Sequence, residues 1–161
     1  MRRLHKTIEE IGWTRDVPCL GDDDRVARAF DAMSRDSHDC VLVTTAGRLA
    51  GIFTSRDFLN RVAAVRGDPQ AMLLGAVMTP EPRTLKPSDP VAFAINWMAV
   101  EGFRNVPIVD DTGRALGVLT VWDVMRTLSA IFDDIDATPR VTPPMADTSD
   151  VVSLIDLGGG S

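Results

Sequence analysis

Apolar residues along this chain fall into two recurring habits, short continuous runs and helix-spaced stripes. Cys40-Val41-Leu42-Val43 is a run of the kind expected for a strand buried on both faces. Leu49 to Phe53 makes a second run after the turn at Gly47. Val26, Ala29, Phe30 and Met33 recur at i, i+3, i+4 and i+7, which marks one face of a helix. Thr54 opens another helix carrying Phe58, Leu59, Val62 and Val65, stopped by Gly67-Asp68-Pro69. Ahead of these, Pro18-Cys19-Leu20 starts an extended segment, and Gly21-Asp22-Asp23-Asp24 reads as a turn ending in a helix N-cap. The predicted order is strand, helix, strand, strand, helix.

The same order then comes again. Gly47 to Asp57 reads Gly-Arg-x-x-Gly, two apolar residues, then Thr-x-x-Asp, and so does Gly113 to Asp123, at an offset of 113 − 47 = 66. Leu20, Asp24, Val26, Ala29 and Met33 find Leu85, Asp89, Val91, Ala94 and Met98 at an offset of 65. Val106-Pro107-Ile108-Val109 repeats the middle strand, and Val124, Leu128 and Ile131 repeat the last helix. Periodicity of this kind predicts an internal duplication, with two half-size units at 12–67 and 78–132 sharing one core. A lead-in helix is expected over 1–11, on Leu4, Ile8 and Ile11 and closed by Gly12, with a linker at 68–77. Thr138-Pro139 and Thr142-Pro143-Pro144 cannot continue a helix, so 133–161 is read as an acidic, proline-bearing tail.

Charge and cysteine content narrow the function classes. Seventeen Lys plus Arg stand against 23 Asp plus Glu, a formal net charge of −6, which argues against nucleic acid as a partner. No apolar run approaches the roughly 20 residues that span a bilayer, and no signal-type apolar region follows the basic N-terminus. A cytoplasmic protein without a membrane partner is expected. Cys19 and Cys40 lack Cys-x-x-Cys spacing and are read as buried, reduced thiols; with His5 and His38 they do not make ligand pairs for zinc. Asp22 to Asp24 do not alternate as a calcium loop requires.

The repeated Thr-x-x-Asp has two readings. Thr54 and Thr120 can cap a helix start while Asp57 and Asp123, three residues on, reach back in a capping box. The same groups suit a nucleotide, because a hydroxyl and free N–H groups can donate to phosphate while a carboxylate accepts both hydroxyls of a ribose. A carboxylate beside a phosphate needs compensating cations. Arg56 inside the first motif and Arg104 before the second middle strand supply them. No Gly-x-Ser-x-Gly turn, Walker loop or metal-binding His pair is present, so no catalytic residue or metal ligand is assigned and an enzyme is not expected.

Over about residues 12 to 132 the chain resembles a tandem pair of cystathionine β-synthase (CBS) domains. The resemblance rests on Val77-Met78-Thr79-Pro80, Val106-Pro107-Ile108-Val109-Asp110 and Gly117-Val118-Leu119-Thr120-Val121-Trp122-Asp123, with Trp13-Thr14 standing where Met78-Thr79 stands. It implies a mixed α/β (α+β) fold of two β-α-β-β-α units about a pseudo-two-fold axis, small sheets face to face and helices outside. It also implies a regulatory homodimer that binds an adenosine-containing ligand (AMP, ADP, ATP or S-adenosylmethionine) and signals to an unidentified protein. No cofactor is required, and magnesium enters only with a polyphosphate. Carried over, Asp57 and Asp123 would take ribose hydroxyls, Thr54 and Thr120 would lie at phosphates, and Cys19 and Thr84 would flank the base. Arg56 is matched by Trp122 and His38 by Arg104, so the clefts should differ. Arg56 favours phosphates, whereas Trp122 either offers a stacking face or covers the core or a dimer contact. His38 is either a pH-sensitive phosphate ligand or incidental. The alternative function is a ligand-free dimerisation scaffold.

Overall fold

A computed structural model describes residues 6–135. Leu4, His5 and the stretch from 136 onward lie outside the described residues, and with them most of the expected tail. The compact body up to Ser129 is described here. Its elements are α1 (Ile8–Ile11), β1 (Cys19–Gly21), α2 (Val26–Asp36), β2 (Cys40–Thr45), β3 (Arg48–Thr54), α3 (Ser55–Asp57), α4 (Leu74–Val77), β4 (Thr79–Pro80), α5 (Val91–Glu101), β5 (Asn105–Val109), β6 (Ala115–Thr120) and α6, which runs Val121–Ile135. Helix α6 therefore continues three residues into the stretch expected to be tail, because no proline intervenes before Pro139. None of the described helices is long and apolar enough to cross a membrane.

The strands form two matching sheets. In the first, the order is β1-β2-β3-β4, with β1 parallel to β2 and the rest antiparallel. In the second, β5 and β6 pair antiparallel, and single bridges add Leu85 parallel to Ile108 and Thr14 antiparallel to Val118. Both sheets thus have the sequence parallel, antiparallel, antiparallel. The opening strand of the second half is reduced to that one bridge at Leu85.

The fourth position of each sheet is filled from the other repeat. Thr79 pairs with Ile52 of the first half, and Thr14 pairs with Val118 of the second. The short helices follow the same exchange. Ile8 N–H donates to Asp89 O (2.9 Å) and Val91 N–H to Lys6 O (2.9 Å), so α1 docks on the start of α5. Leu74 N–H donates to Asp24 O (2.9 Å) and Val26 N–H to Met72 O (3.0 Å), so α4 docks in the same way on α2. The segment expected as a linker at 68–77 is thus partly a packed element equivalent to the lead-in.

This exchange explains the glycine of the repeated motif. A Cβ on Gly51 would collide with the Met78 sulfur and lie 2.9 Å from Thr79 O. One on Gly117 would collide with Thr14 O and lie 2.9 Å from Trp13, at a φ of +141° that side chains rarely adopt. The exchanged segments pass too close to tolerate a side chain.

Three buried clusters hold the body together. Ile8, Trp13, Leu85, Val91, Ala94, Val106, Ile108, Leu119 and Val124 form one, and Val26, Ala29, Val41, Val43, Phe53, Val62, Leu74 and Val77 form its counterpart. Cys40, Leu42 and Ile52 meet Val118 in a third, which joins the two sheets.

Four local expectations change. The lead-in helix is a single turn, α1, held by a full capping box between Thr7 and Glu10. Asp24 does not cap α2, whose N-cap is Arg25 with no side-chain bond. Its carboxylate instead closes the preceding turn, accepting from Gly21 N–H at 2.8 Å, as Asp89 does from Lys86 N–H at 2.8 Å. After α3 the backbone continues as a π-helix over Phe58–Ala63. Its wider turn keeps Val62 in the core but leaves Leu59 and Val65 exposed, against the stripe expected from a 3.6-residue period. Phe30 is also half exposed, lying against Phe58 with ring centroids 5.4 Å apart.

Candidate functional site

The strand-to-helix turn ending β3 builds the best-formed candidate site. Thr54 is the N-cap of α3 with extended backbone, and its hydroxyl accepts from Asp57 N–H at 3.3 Å. Asp57 Oδ2 accepts in return from Thr54 N–H at 2.9 Å and from the Thr54 hydroxyl at 3.0 Å. The capping box expected from Thr-x-x-Asp is therefore formed. Asp57 is only 7% exposed, and its other oxygen accepts from the Thr79 hydroxyl at 2.9 Å. Arg61 Nε stands 3.7 Å from that oxygen, and its guanidinium also donates to the Val77 and Met78 carbonyls. Asp57 is thus a node that ties its own helix to the segment exchanged from the second repeat.

The second motif repeats the arrangement. Asp123 Oδ2 accepts from Thr120 N–H (2.9 Å) and the Thr120 hydroxyl (2.8 Å), and Asp123 N–H donates to Thr120 Oγ1 (3.1 Å). Thr14, the counterpart of Thr79, donates to Asp123 Oδ2 at 3.2 Å. Thr14 and Thr79 occupy equivalent places in the repeat and are themselves the residues that pair across to the opposite half, so the role of their hydroxyls follows from a tertiary exchange.

Around the first motif lies a cavity of about 450 Å³, within the range of small-molecule clefts. Thr54, Arg56 and Asp57 line it from one half, and Arg83, Phe103 and Arg104 from the other. Arg83 is ion-paired with Glu101 and sits over the Trp97 and Phe103 rings, at 5.4 and 6.0 Å. Arg56 and Arg104 make no ion pair with a carboxylate of the described residues. The structure therefore brings together four expected residues, Thr54, Arg56, Asp57 and Arg104. Glu81, Arg83 and Phe103 were missed, because their place in the cleft depends on how the halves meet.

The remaining expected residues are not among those lining this cavity. Thr120 and Asp123 belong to the second motif. Trp122 follows on the first turn of α6 and is 67% exposed, so it does not cover the core. Cys19 opens β1 as expected, Thr84 only precedes the single bridge at Leu85, and His38 is half-buried ahead of β2; none of the three lines this cleft. Burial pushes the Cys40 thiol up to about 12, with Asp39 and Cys19 adding to the shift. Of the two thiols expected to be buried only Cys40 is; Cys19, at the start of the short β1, is exposed, although partial desolvation still raises its value. No group of three His, Cys, Asp or Glu among the described residues is placed to hold a metal ion.

Two interlaced halves, each with a Thr-x-x-Asp turn closing a capping box, define a tandem-repeat module. The CBS domain profile matches residues 12–64 and 74–130, and the chain belongs to that family, whose members are generally regulatory and non-catalytic. It is 34% identical over 103 residues to the meiotically up-regulated gene 70 protein of Schizosaccharomyces pombe, covering 64% of this chain and 14% of that protein. It is 28% identical over 132 residues to the CBS domain-containing protein CBSCBSPB3 of Arabidopsis thaliana, covering 82% of this chain and 23% of that one. The chain thus spans less than a quarter of the length of these two relatives.

Solved structures show the same fold. A protein with CBS domains from Burkholderia ambifaria MC40-6 aligns with a TM-score of 0.71 at 23% identity, covering 78% of this chain and 95% of that one. The CBS domain protein PAE2072 of Pyrobaculum aerophilum, complexed with AMP, aligns with a TM-score of 0.69 at 21% identity, covering 80% and 97%. The CBS domain pair of protein MJ0100, in complex with 5′-methylthioadenosine and S-adenosyl-L-methionine, aligns with a TM-score of 0.67 at 21% identity, covering 76% and 99%.

Proposed function

We propose that this chain is a regulatory module that binds an adenosine-containing ligand in the Asp57 cleft and passes its occupancy to another protein. The observation that carries the reading is the cavity itself, around which lie a buried carboxylate, a threonine hydroxyl and two guanidiniums, Arg56 and Arg104, without a carboxylate partner among the described residues. The AMP and S-adenosylmethionine complexes of the fold neighbours support the same ligand class.

Asp57 also suggests how occupancy is signalled. An ionised carboxylate has about four acceptor sites, and Thr54 N–H, the Thr54 hydroxyl and the Thr79 hydroxyl fill three. A ribose diol donating two hydrogen bonds displaces at least one hydroxyl, and Thr79 is the one that leads to the exchanged strand β4. Ligand would then favour one of two arrangements of that strand. The regulatory unit is a homodimer, with Phe93 and Val100 of α5 and Trp122 and Met125 of α6 as exposed apolar side chains for self-association. Those side chains also serve the second reading, a scaffold with no ligand. Magnesium enters only as the counter-ion of a polyphosphate.

The test is a thermal-shift and calorimetric titration with AMP, ADP, ATP, S-adenosylmethionine and NAD, using wild type, Asp57→Asn and Asp123→Asn. A ligand at a hundredfold excess over its Kd stabilises the folded state by about 3 kcal/mol. Stabilisation lost in Asp57→Asn, with the variant still folded, supports the reading. No response to any of the five compounds overturns it in favour of the scaffold.

A further inference from the structure

We infer that the Asp57 cleft selects its ligand by charge, taking a nucleotide with two or three phosphates in preference to a monophosphate or a sulfonium, and that the Asp123 motif lacks this capacity. The inference rests on the reading of the Asp57 cleft as an adenosyl site and adds the part of the ligand that the carboxylate does not read.

Arg56, Arg83 and Arg104 all line the one cavity. A protein of formal net charge −6 has gathered three guanidiniums there from three separate segments. Arg83 is held in place by Glu101 and two aromatic rings. Arg56 and Arg104, with no carboxylate partner among the described residues, keep their forked N–H donors available. Asp57, Asp39 and Glu81 also line the space, and Asp57 is already engaged by Thr54, Thr79 and Arg61. Three guanidiniums around one cleft are matched more closely in charge by a chain of phosphates than by a single phosphate, which carries at most about −2. A sulfonium would bring a positive charge beside three guanidiniums, with Asp39 and Glu81 as the lining carboxylates not already engaged as Asp57 is.

The second motif did not inherit these cations at the equivalent positions; the arginine beside it, Arg126, lies 3.5 Å from Asp123 Oδ1 and is paired with that carboxylate. At the repeat offsets of 65 and 66, Trp122 stands for Arg56, Pro18 for Arg83 and His38 for Arg104, while Asp16 stands for Glu81. The duplicated part of the site is the Thr-x-x-Asp turn, which is also a helix cap. The part that is not duplicated is the set of arginines.

The experiment is calorimetric titration of the full chain with AMP, ADP, ATP, S-adenosylmethionine and inorganic tripolyphosphate, for wild type, Arg56→Gln, Arg104→Gln and Asp123→Asn. Affinity is expected to rise from AMP to ATP, and each arginine variant to lose about ten-fold or more for ATP, since a charge-assisted hydrogen bond is removed. AMP affinity is expected to change less, and the ATP affinity to fall more steeply than that of AMP as sodium chloride is raised. Asp123→Asn should leave ATP binding within two-fold. A loss of ATP affinity in Asp123→Asn as large as in the arginine variants overturns the assignment of charge selection to the Asp57 cleft. Equal losses for AMP and ATP, or no loss in either arginine variant, overturn the inference while leaving adenosyl binding intact. Tighter binding of S-adenosylmethionine than of ATP also overturns it. Arginine-dependent binding of tripolyphosphate without any adenosyl binding supports charge selection and overturns the adenosyl reading instead.

Discussion

Asp57 serves as a cap and as a candidate ligand group at once, and the two uses have separable energetic signatures. Its carboxylate closes the capping box with Thr54 and accepts from Thr79 while nearly buried. Truncating it leaves Thr54 N–H and the Thr79 hydroxyl without their partner. Asp57→Ala is expected to lower stability by about 1–3 kcal/mol in urea titrations, and Thr79→Val by about 1 kcal/mol. An unmoved midpoint in both would remove the structural role. The thiols give a second, pH-based prediction. Cys40 is buried and its folded value lies near 12, above its ordinary 9.0. The stability that goes with this raised value is fully present below about pH 9 and is lost as pH rises toward 12, because the unfolded chain gives up the proton first. At pH 8 the native protein should therefore take up iodoacetamide at Cys19 and resist it at Cys40, with both reacting in denaturant. Equal labelling of the two in the native state would show that Cys40 is not shut away. The sequence leads to the expectation that both thiols are buried, which holds for Cys40 and fails for Cys19.

At the scale of elements, the hydrophobic periods locate most helices and strands because burial in this chain is local and repeated. The exceptions share a cause. Phe58 to Ala63 forms a π-helix, and its wider turn sends Leu59 and Val65 outward despite their helical spacing. Asp24 has the composition of an N-cap but bonds back to Gly21 instead, because the helix begins one residue later than the acid permits. Gly51 and Gly117 lie within strand-forming runs, and their steric reason is the exchanged segment lying over them. Gly117→Ala should therefore cost more than an exposed-turn glycine would, about 2 kcal/mol or more, since it combines a positive φ with a backbone collision. Gly51→Ala should be destabilising too, but less so, because the Met78 side chain can move more easily than Thr14 backbone. Thermal or urea melts of the two variants check the order, and the reverse order would mean that the Thr14 segment yields more readily than Met78.

For the whole molecule, the decisive feature is that each half carries a turn of helix and a strand belonging to the other. Ile8 is fully buried among residues of the second half, and Leu74 among those of the first. Ile8→Ala should accordingly cost about 2–5 kcal/mol although it lies beside the N-terminus. Unfolding should remain a single cooperative event, with Trp fluorescence and far-ultraviolet circular dichroism giving coincident transitions. Separate transitions for the two probes would mean that the halves do not depend on each other. The same interlacing explains what could and could not be read beforehand. The duplication, the strand-helix order, the capping boxes and the family resemblance were all legible, because each is written in near-neighbour spacing and repeated at a fixed offset. The Thr14 and Thr79 hydroxyls on the opposite Asp, the packing of 74–77, and the meeting of Arg83, Phe103 and Arg104 with Arg56 were not. Those depend on which segment of one half lies against the other, and hydrophobic period and local capping are the same whether a strand completes its own sheet or its partner's. Only the three-dimensional closure of the two halves, driven by the shared apolar clusters, decides that.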